Sequence, residues 1–257
     1  MCNQSMKLCF LVIKLWIITS TVVFAAEYQP KIENVTLITE ESPPYNMRKD
    51  EQNKTNEYEI VGVSADIVKE LFKRGNITYS LAMYPWGRAY KTVKENANHG
   101  LFSTALTPER KPQFKWVGPI VPDSWVLMGK SDRHFNIKTV ADACKYIIGG
   151  YRGDVVAAFL EKNGCKIHYT SYAYQNVLKI QLGRIDLWAT GKLTGPYLAK
   201  REKVHGVVPV FELNKAPMYL ALNKSFPDSL VLKLNQLLID MEKDGTVENI
   251  YSKYLDF

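Results

Sequence analysis

The stretch CKYIIGGYRGDVVAAFLEKNGCKIHY, residues 144–169, decides the fold class. Lys145 to Gly149 reads as a strand and Lys166 to Tyr169 as another. Between them Asp154 to Lys162 reads as a helix, with Val155, Val156, Phe159 and Leu160 on its apolar face. Strands joined through a helix run parallel and often lie side by side. Cys144 and Cys165 each immediately precede one of these strands. The unit therefore predicts both cysteines at the same end of neighbouring strands, within disulfide reach. Two buried free thiols are the alternative at this point. A metal site does not fit, because no histidine or further cysteine stands at ligand spacing.

The same alternation extends in both directions. Asn34 to Thr39, Ile77 to Met83, Leu101 to Thr104 and Asp186 to Thr190 read as strands. Asp66 to Lys73, Trp86 to Glu95 and the stretch with Tyr174, Val177, Leu178 and Leu182 repeat apolar residues at helical spacing. Two further helices end the chain, separated by Asp244-Gly245. This rhythm predicts an α/β protein with largely parallel sheets. Gly118 to Pro122 and Asn214 to Pro217 break the pattern and read as two crossovers between lobes.

The N-terminus differs from the rest. Lys7 and Lys14 are its only charges, Leu15 to Phe24 is apolar, and Val23-Phe24-Ala25 fits a small-x-small cleavage site. That pattern predicts a signal peptide cut after Ala25. A membrane span needs about 20 apolar residues, more than this run supplies. Cys2 and Cys9 leave with the leader, and Cys144 and Cys165 remain as an even pair in an oxidising compartment. Removing Lys7 and Lys14 lowers the 33 basic residues to 31 against 26 acidic, a mild balance of +5. The basic residues are scattered, which argues against a nucleic-acid partner.

A series of short motifs then becomes recognisable by its order. It runs Glu41-Ser42-Pro43-Pro44-Tyr45, Gly62-Val63-Ser64-Ala65-Asp66-Ile67, Tyr84-Pro85-Trp86-Gly87-Arg88-Ala89-Tyr90 and Thr107-Pro108-Glu109-Arg110. It continues with Phe114-Lys115-Trp116-Val117-Gly118-Pro119-Ile120, Gly183-Arg184-Ile185-Asp186 and Asp244-Gly245-Thr246. The series resembles the family 3 bacterial extracellular solute-binding proteins, which serve polar amino-acid ABC transporters. The resemblance spans nearly all of the mature chain.

That resemblance implies a two-lobed periplasmic-binding-protein fold (type II), with two hinge crossovers and a ligand cleft between the lobes. Residues 26–121 and 218–257 would form lobe 1, and residues 122–217 the inserted lobe 2. It implies a periplasmic, monomeric protein that captures a small polar, carboxylate-bearing ligand for an ABC permease in the inner membrane. No cofactor, metal or bond-changing step is implied. A periplasmic sensor subunit is the alternative, and a dehydratase on the same scaffold is a more distant one.

By the same resemblance, Arg110 would hold the ligand carboxylate, which a guanidinium grips through paired donors. Tyr45 and Trp86 would flank the ligand, with Trp86 equally placed to be core. Gly149 to Asp154 leads from a strand into a helix whose first N–H groups suit an anion, so Tyr151, Arg152 and Gly153 join the candidates. A plain turn capped by Asp154 is the alternative there.

Two departures stand out. Amino-acid binders of the family commonly carry an acid just after the Gly-Arg-x-Asp strand to hold the α-amino group. Here that stretch is Leu187-Trp188-Ala189-Thr190-Gly191. The position before the arginine motif, often a hydroxyl residue, is Ala105, with Ser103 nearby. Glu40 and Thr190 are the remaining candidates for a ligand amine or hydrogen bond.

Overall fold

The computed structural model describes residues 34–49 and 59–254. The predicted leader, residues 1–25, lies outside them.

The chain begins with β1 (Val35–Thr39), then a short antiparallel pair, β2 (Met47–Arg48) and β3 (Ile60–Val61). Helix α1 (Val63–Arg74) buries Ile67, Val68, Leu71 and Phe72. After it come β4 (Tyr79–Met83), α2 (Trp86–Glu95), β5 (His99–Ala105), a single 3-10 turn (Lys111–Gln113) and β6 (Lys115–Val121). The middle of the chain is β7 (Ser124–Lys130), α3 (Val140–Ala143), β8 (Ile148–Tyr151), α4 (Val155–Lys162) and β9 (Ile167–Thr170). It continues through α5 (Tyr174–Gln181), β10 (Leu187–Gly191), α6 (Thr194–Arg201) and β11 (Val207–Lys215). Strand β12 (Met218–Leu222) and helices α7 (Asp228–Lys243) and α8 (Thr246–Ser252) complete the described chain.

Two five-stranded sheets result, ordered β4-β1-β5-β12-β6 and β11-β7-β10-β8-β9. Each has its own apolar interior. The first packs α1 and α7 on one face, around Leu37, Phe72 and Leu234. The second is held by Leu127, Leu160 and Leu187 on one side and by Met128, Val177 and Trp188 on the other. This is the two-lobed α/β fold that the sequence predicts, with one correction. The sheets are mixed rather than largely parallel. The βαβ units pair in parallel, β1 with β4 and β5, and β8 with β9 and β10. The strands that carry the chain between sheets, β6, β7, β11 and β12, pair antiparallel.

Both crossovers fall close to where the prolines suggest. Pro122-Asp123 joins β6 to β7, and Ala216-Pro217 joins β11 to β12. The Ala216 amide donates to the Asp123 carbonyl at 2.9 Å and ties the two together. Gly118-Pro119 does not end β6, contrary to expectation. That strand is an edge, paired only with β12, so a residue without an N–H fits there.

The cysteine unit forms as expected. Strands β8 and β9 pair in parallel, with Ile148 opposite Ile167. Cys144 and Cys165 are bridged with their Cα atoms 4.5 Å apart. The first strand starts at Ile148 rather than Lys145, because Thr139 caps a short helix that runs to Ala143 before it.

Candidate ligand-binding cleft

A cavity of about 80 Å³ lies where the ends of the strands of both sheets face each other. Open α/β sheets place ligands in this position, beyond the carboxyl ends of their strands. From the first lobe it takes Glu40, just after β1, Ser103 on β5, Trp86 at the start of α2, and Arg110. From the second it takes Tyr151 to Val156 except Arg152, and Thr190, Gly191 and Thr194. The crossovers add Asp123 and Ala216.

Arg110 is placed by the turn that precedes β6. Its amide donates to the Thr107 carbonyl and hydroxyl, at 3.1 and 3.3 Å. Its guanidinium lies over the Trp86 ring, 4.6 Å from the centroid, and 5.8 Å from that of Tyr90. Among the described residues its one side-chain hydrogen bond runs from Nη1 to the Ala105 carbonyl, at 3.2 Å. A guanidinium has five N–H donors, so most of its capacity is left for a ligand. Glu109 instead pairs with Lys162 across the cleft mouth, at 3.5 Å between exposed side chains. Burial pulls the Arg110 pKa down, and nearby Tyr90, Glu40 and Glu109 offset part of that.

Trp86 is half-buried, so it is neither pure core nor free surface. A Cβ on Gly153, across the cleft, would sit 3.6 Å from its Cδ1. Gly153 has φ +87, a left-handed conformation that favours glycine. Ser103 also has positive φ, +59, where β5 and β12 slip register. Such irregularities re-aim side chains near functional sites. Ser103 Oγ donates to Asn46 Oδ1, and Asn46 Nδ2 donates to the Glu40 carbonyl at 2.9 Å. This chain of contacts fixes the backbone that carries Glu40.

Two candidates fall outside the cavity lining. Tyr45 was expected to flank a ligand, but it is fully buried in the first lobe. Its carbonyl accepts from the Ser64 amide and caps α1, which pulls the loop inward. Gly62, at φ +126, makes this approach possible, since a Cβ there would lie 2.4 Å from that carbonyl oxygen. Arg152 is exposed and reaches toward Tyr169, 6.0 Å from its ring centroid, so it points away from the cavity.

The turn into α4 also differs from an open anion site. Asp154 caps the helix, its oxygens accepting from the Val156 and Ala157 amides at 3.1 and 3.2 Å. Those N–H groups are therefore already satisfied.

Sequence reasoning missed the density of acid in the cleft. Glu40, Asp123 and Asp154 face a single guanidinium, that of Arg110. Burial, reinforced by Asp154, pushes Glu40 up to about 8, opposed by the Arg110 charge and the Tyr151 hydroxyl. Burial also raises Asp154 to about 7 despite its two backbone donors. Asp123 rises to about 6 for the same reason, restrained by Tyr45 and the amides of Ser124 and Lys192. Clustered titratable groups with displaced pKa values mark functional sites. The signal available in the sequence was Asp123 directly after the proline of the first crossover.

The chain is similar to known proteins in sequence and in fold. The chain is 26% identical over 205 residues to ABC transporter arginine-binding protein 1 of Escherichia coli (strain K12), covering 76% of this chain and 82% of that protein. The solved structure of an ancestral arginine-binding protein bound to arginine superposes with a TM-score of 0.74 at 22% identity, over 88% of this chain and 99% of that one. A histidine kinase sensor domain with similarity to periplasmic binding proteins superposes with a TM-score of 0.77 at 15% identity, over 89% and 98%. Residues 35–257 match the bacterial extracellular solute-binding proteins, family 3, and the chain belongs to that family.

Proposed function

We propose that this protein captures an amino acid or closely related small molecule, with the ligand carboxylate on Arg110, for delivery to an ABC permease. The observation that carries this reading is the Arg110 guanidinium: it is held over Trp86, faces the cavity, and spends one side-chain hydrogen bond on protein. Paired donors of this kind suit a carboxylate. The arginine-binding name of the Escherichia coli relative supports an amino-acid ligand.

In this reading residues 26–121 and 218–257 move as one lobe and residues 122–217 as the other. The crossovers at Asp123 and Ala216 act as the hinge. Glu40, Trp86, Ser103, Tyr151, Gly153 and Thr190 close around the ligand, and no bond is changed. Closure gains from the differential contacts that the ligand makes in the closed state. The mature protein works as a monomer in the periplasm after removal of residues 1–25. A sensor subunit would use the same capture step and differ only in its partner.

Calorimetry of residues 26–257 against the protein amino acids, polyamines and small carboxylates tests the reading. The expected result is a saturable hit that is lost in Arg110→Ala and recovered chemically unchanged. Binding of cations alone, indifferent to Arg110→Ala, overturns the carboxylate role. Conversion of the bound molecule moves the protein to the enzymes.

A further inference from the structure

Helix α4 opens on an unbroken apolar run, Val155-Val156-Ala157-Ala158-Phe159-Leu160. Val156, Ala157 and Leu160 are buried in the second lobe. Val155, Ala158 and Phe159 stand at i, i+3 and i+4, so they share the opposite face. A surface helix normally turns polar residues outward on that side. Here Ala158 is exposed and Val155 and Phe159 are half-buried, so the packing of the lobe does not account for this second apolar face.

The same face lines a chamber of about 770 Å³ between the lobes. Tyr90, Leu106 and Pro108 line it from the first lobe. Trp125, at the start of β7 beside the first crossover, adds its ring, 5.5 Å from that of Phe159. The exposed Glu109–Lys162 ion pair, also in the lining, joins the two lobes at the rim. Apolar walls with a few charged groups are the usual make-up of a small-molecule site.

This chamber adjoins the cleft cavity. Arg110, Trp125, Gly153, Asp154 and Val155 line both. Size separates the two spaces. The cleft cavity of about 80 Å³ has room for about five to eight water-sized atoms. That suits the polar head of a ligand and not a long or aromatic remainder. The chamber falls within the roughly 300–1,000 Å³ common for ligand sites. Arg110 stands at the boundary with most of its donors uncommitted, so a carboxylate on it can lead a longer molecule into the larger space.

We infer that the ligand carries a bulky aromatic group, which lies in this chamber against Phe159 and Tyr90 while Arg110 holds its carboxylate. The substrate class is an amino acid with an aromatic side chain, or one extended by an aromatic group through an amide, rather than a small or purely polar amino acid. This rests on the capture reading and adds the size and polarity of the ligand to it.

Calorimetry with matched probes tests it. L-phenylalanine is paired with L-alanine, and N-benzoylglycine with N-acetylglycine, each pair alike but for the aromatic ring. L-arginine and L-glutamine complete the set. The aromatic member of at least one pair is expected to bind at least about thirty-fold more tightly than its partner. A gap in the first pair points to a side chain, and one in the second to an amide extension. Ala158→Trp fills the chamber from an exposed helix position and is expected to weaken the aromatic probe at least about ten-fold. A cooperative melt of that variant without ligand shows that the fold is kept. Equal binding within both pairs, tighter binding of L-arginine or L-glutamine than of either aromatic probe, or an aromatic probe indifferent to Ala158→Trp overturns the chamber assignment. If that binding is lost in Arg110→Ala, the capture reading still stands. Failure of the wild-type protein to bind any probe overturns both.

Discussion

The Arg110 guanidinium lies over the Trp86 ring at 4.6 Å, and a Cβ added at Gly153 in the opposite lobe would lie 3.6 Å from Trp86 Cδ1. The charge is thus held over an aromatic face that lines the same cavity as Gly153. Arg110→Lys keeps the charge but loses the planar fork and much of the stacking. It is expected to weaken a carboxylate ligand by about 2 kcal/mol or more, the scale for a buried charge-assisted contact. Arg110→Ala is expected to cost more. Titration calorimetry against an amino acid and its amide separates the roles, because the amide binds these variants and the wild-type protein with similar affinity.

Acidity in the cleft predicts a pH dependence with a definite sign. Glu40, Asp154 and Asp123 have folded values raised to about 8, 7 and 6, above those of an unfolded carboxylate. The folded protein therefore holds more protons than the unfolded chain between about pH 4 and 8. Its stability is greatest below that window and declines as pH rises through it. The melting temperature of the empty protein is expected to fall from pH 5 to pH 8. A cationic or zwitterionic ligand opposes the decline and expels protons as it binds. Calorimetry in buffers of different ionisation heats at pH 7 is expected to show net proton release.

Gly62 permits the close approach of the Tyr45 carbonyl, with φ +126 and no room for a Cβ. Gly62→Ala is expected to destabilise the protein by about 2 kcal/mol or more, through backbone strain and loss of the α1 cap. Chemical denaturation measures this. The same substitution at Gly87, where a Cβ would meet nothing within 4 Å, is the control and is expected to be near neutral or stabilising.

The Cys144–Cys165 bridge closes a loop of 21 residues in sequence separation. Loop-closure entropy for that length corresponds to about 3 kcal/mol. The double variant Cys144→Ser, Cys165→Ser is expected to lose about that much in urea unfolding. Affinity for ligand is expected to change little, because neither cysteine lines the cavity.

Much of this was legible along the chain. The spacing of Trp86, Ala89, Tyr90 and Val93 gives the bounds of α2, and the cysteine unit gives the β8–α4–β9 crossover. Strand β7 was not legible, because Ser124 to Gly129 are all buried and leave no alternation to read. Strands β11 and β12 are interrupted by register shifts that blur their period. Within the site, Arg110 and Glu40 follow from local motif order. Tyr45 does not, since its burial depends on Gly62, seventeen positions later in the chain. Asp123 and Gly191 meet only through tertiary structure, and no local pattern links them.

That meeting has a consequence for how such clefts diverge. A Cβ at position 191 would lie 3.0 Å from Asp123 Oδ2 and 3.4 Å from Thr194 Oγ1, so any side chain grown there presses first on the end of the Asp123 side chain. The second-lobe wall at Gly191 and the first crossover at Asp123 are therefore coupled, and a change at one is felt at the other.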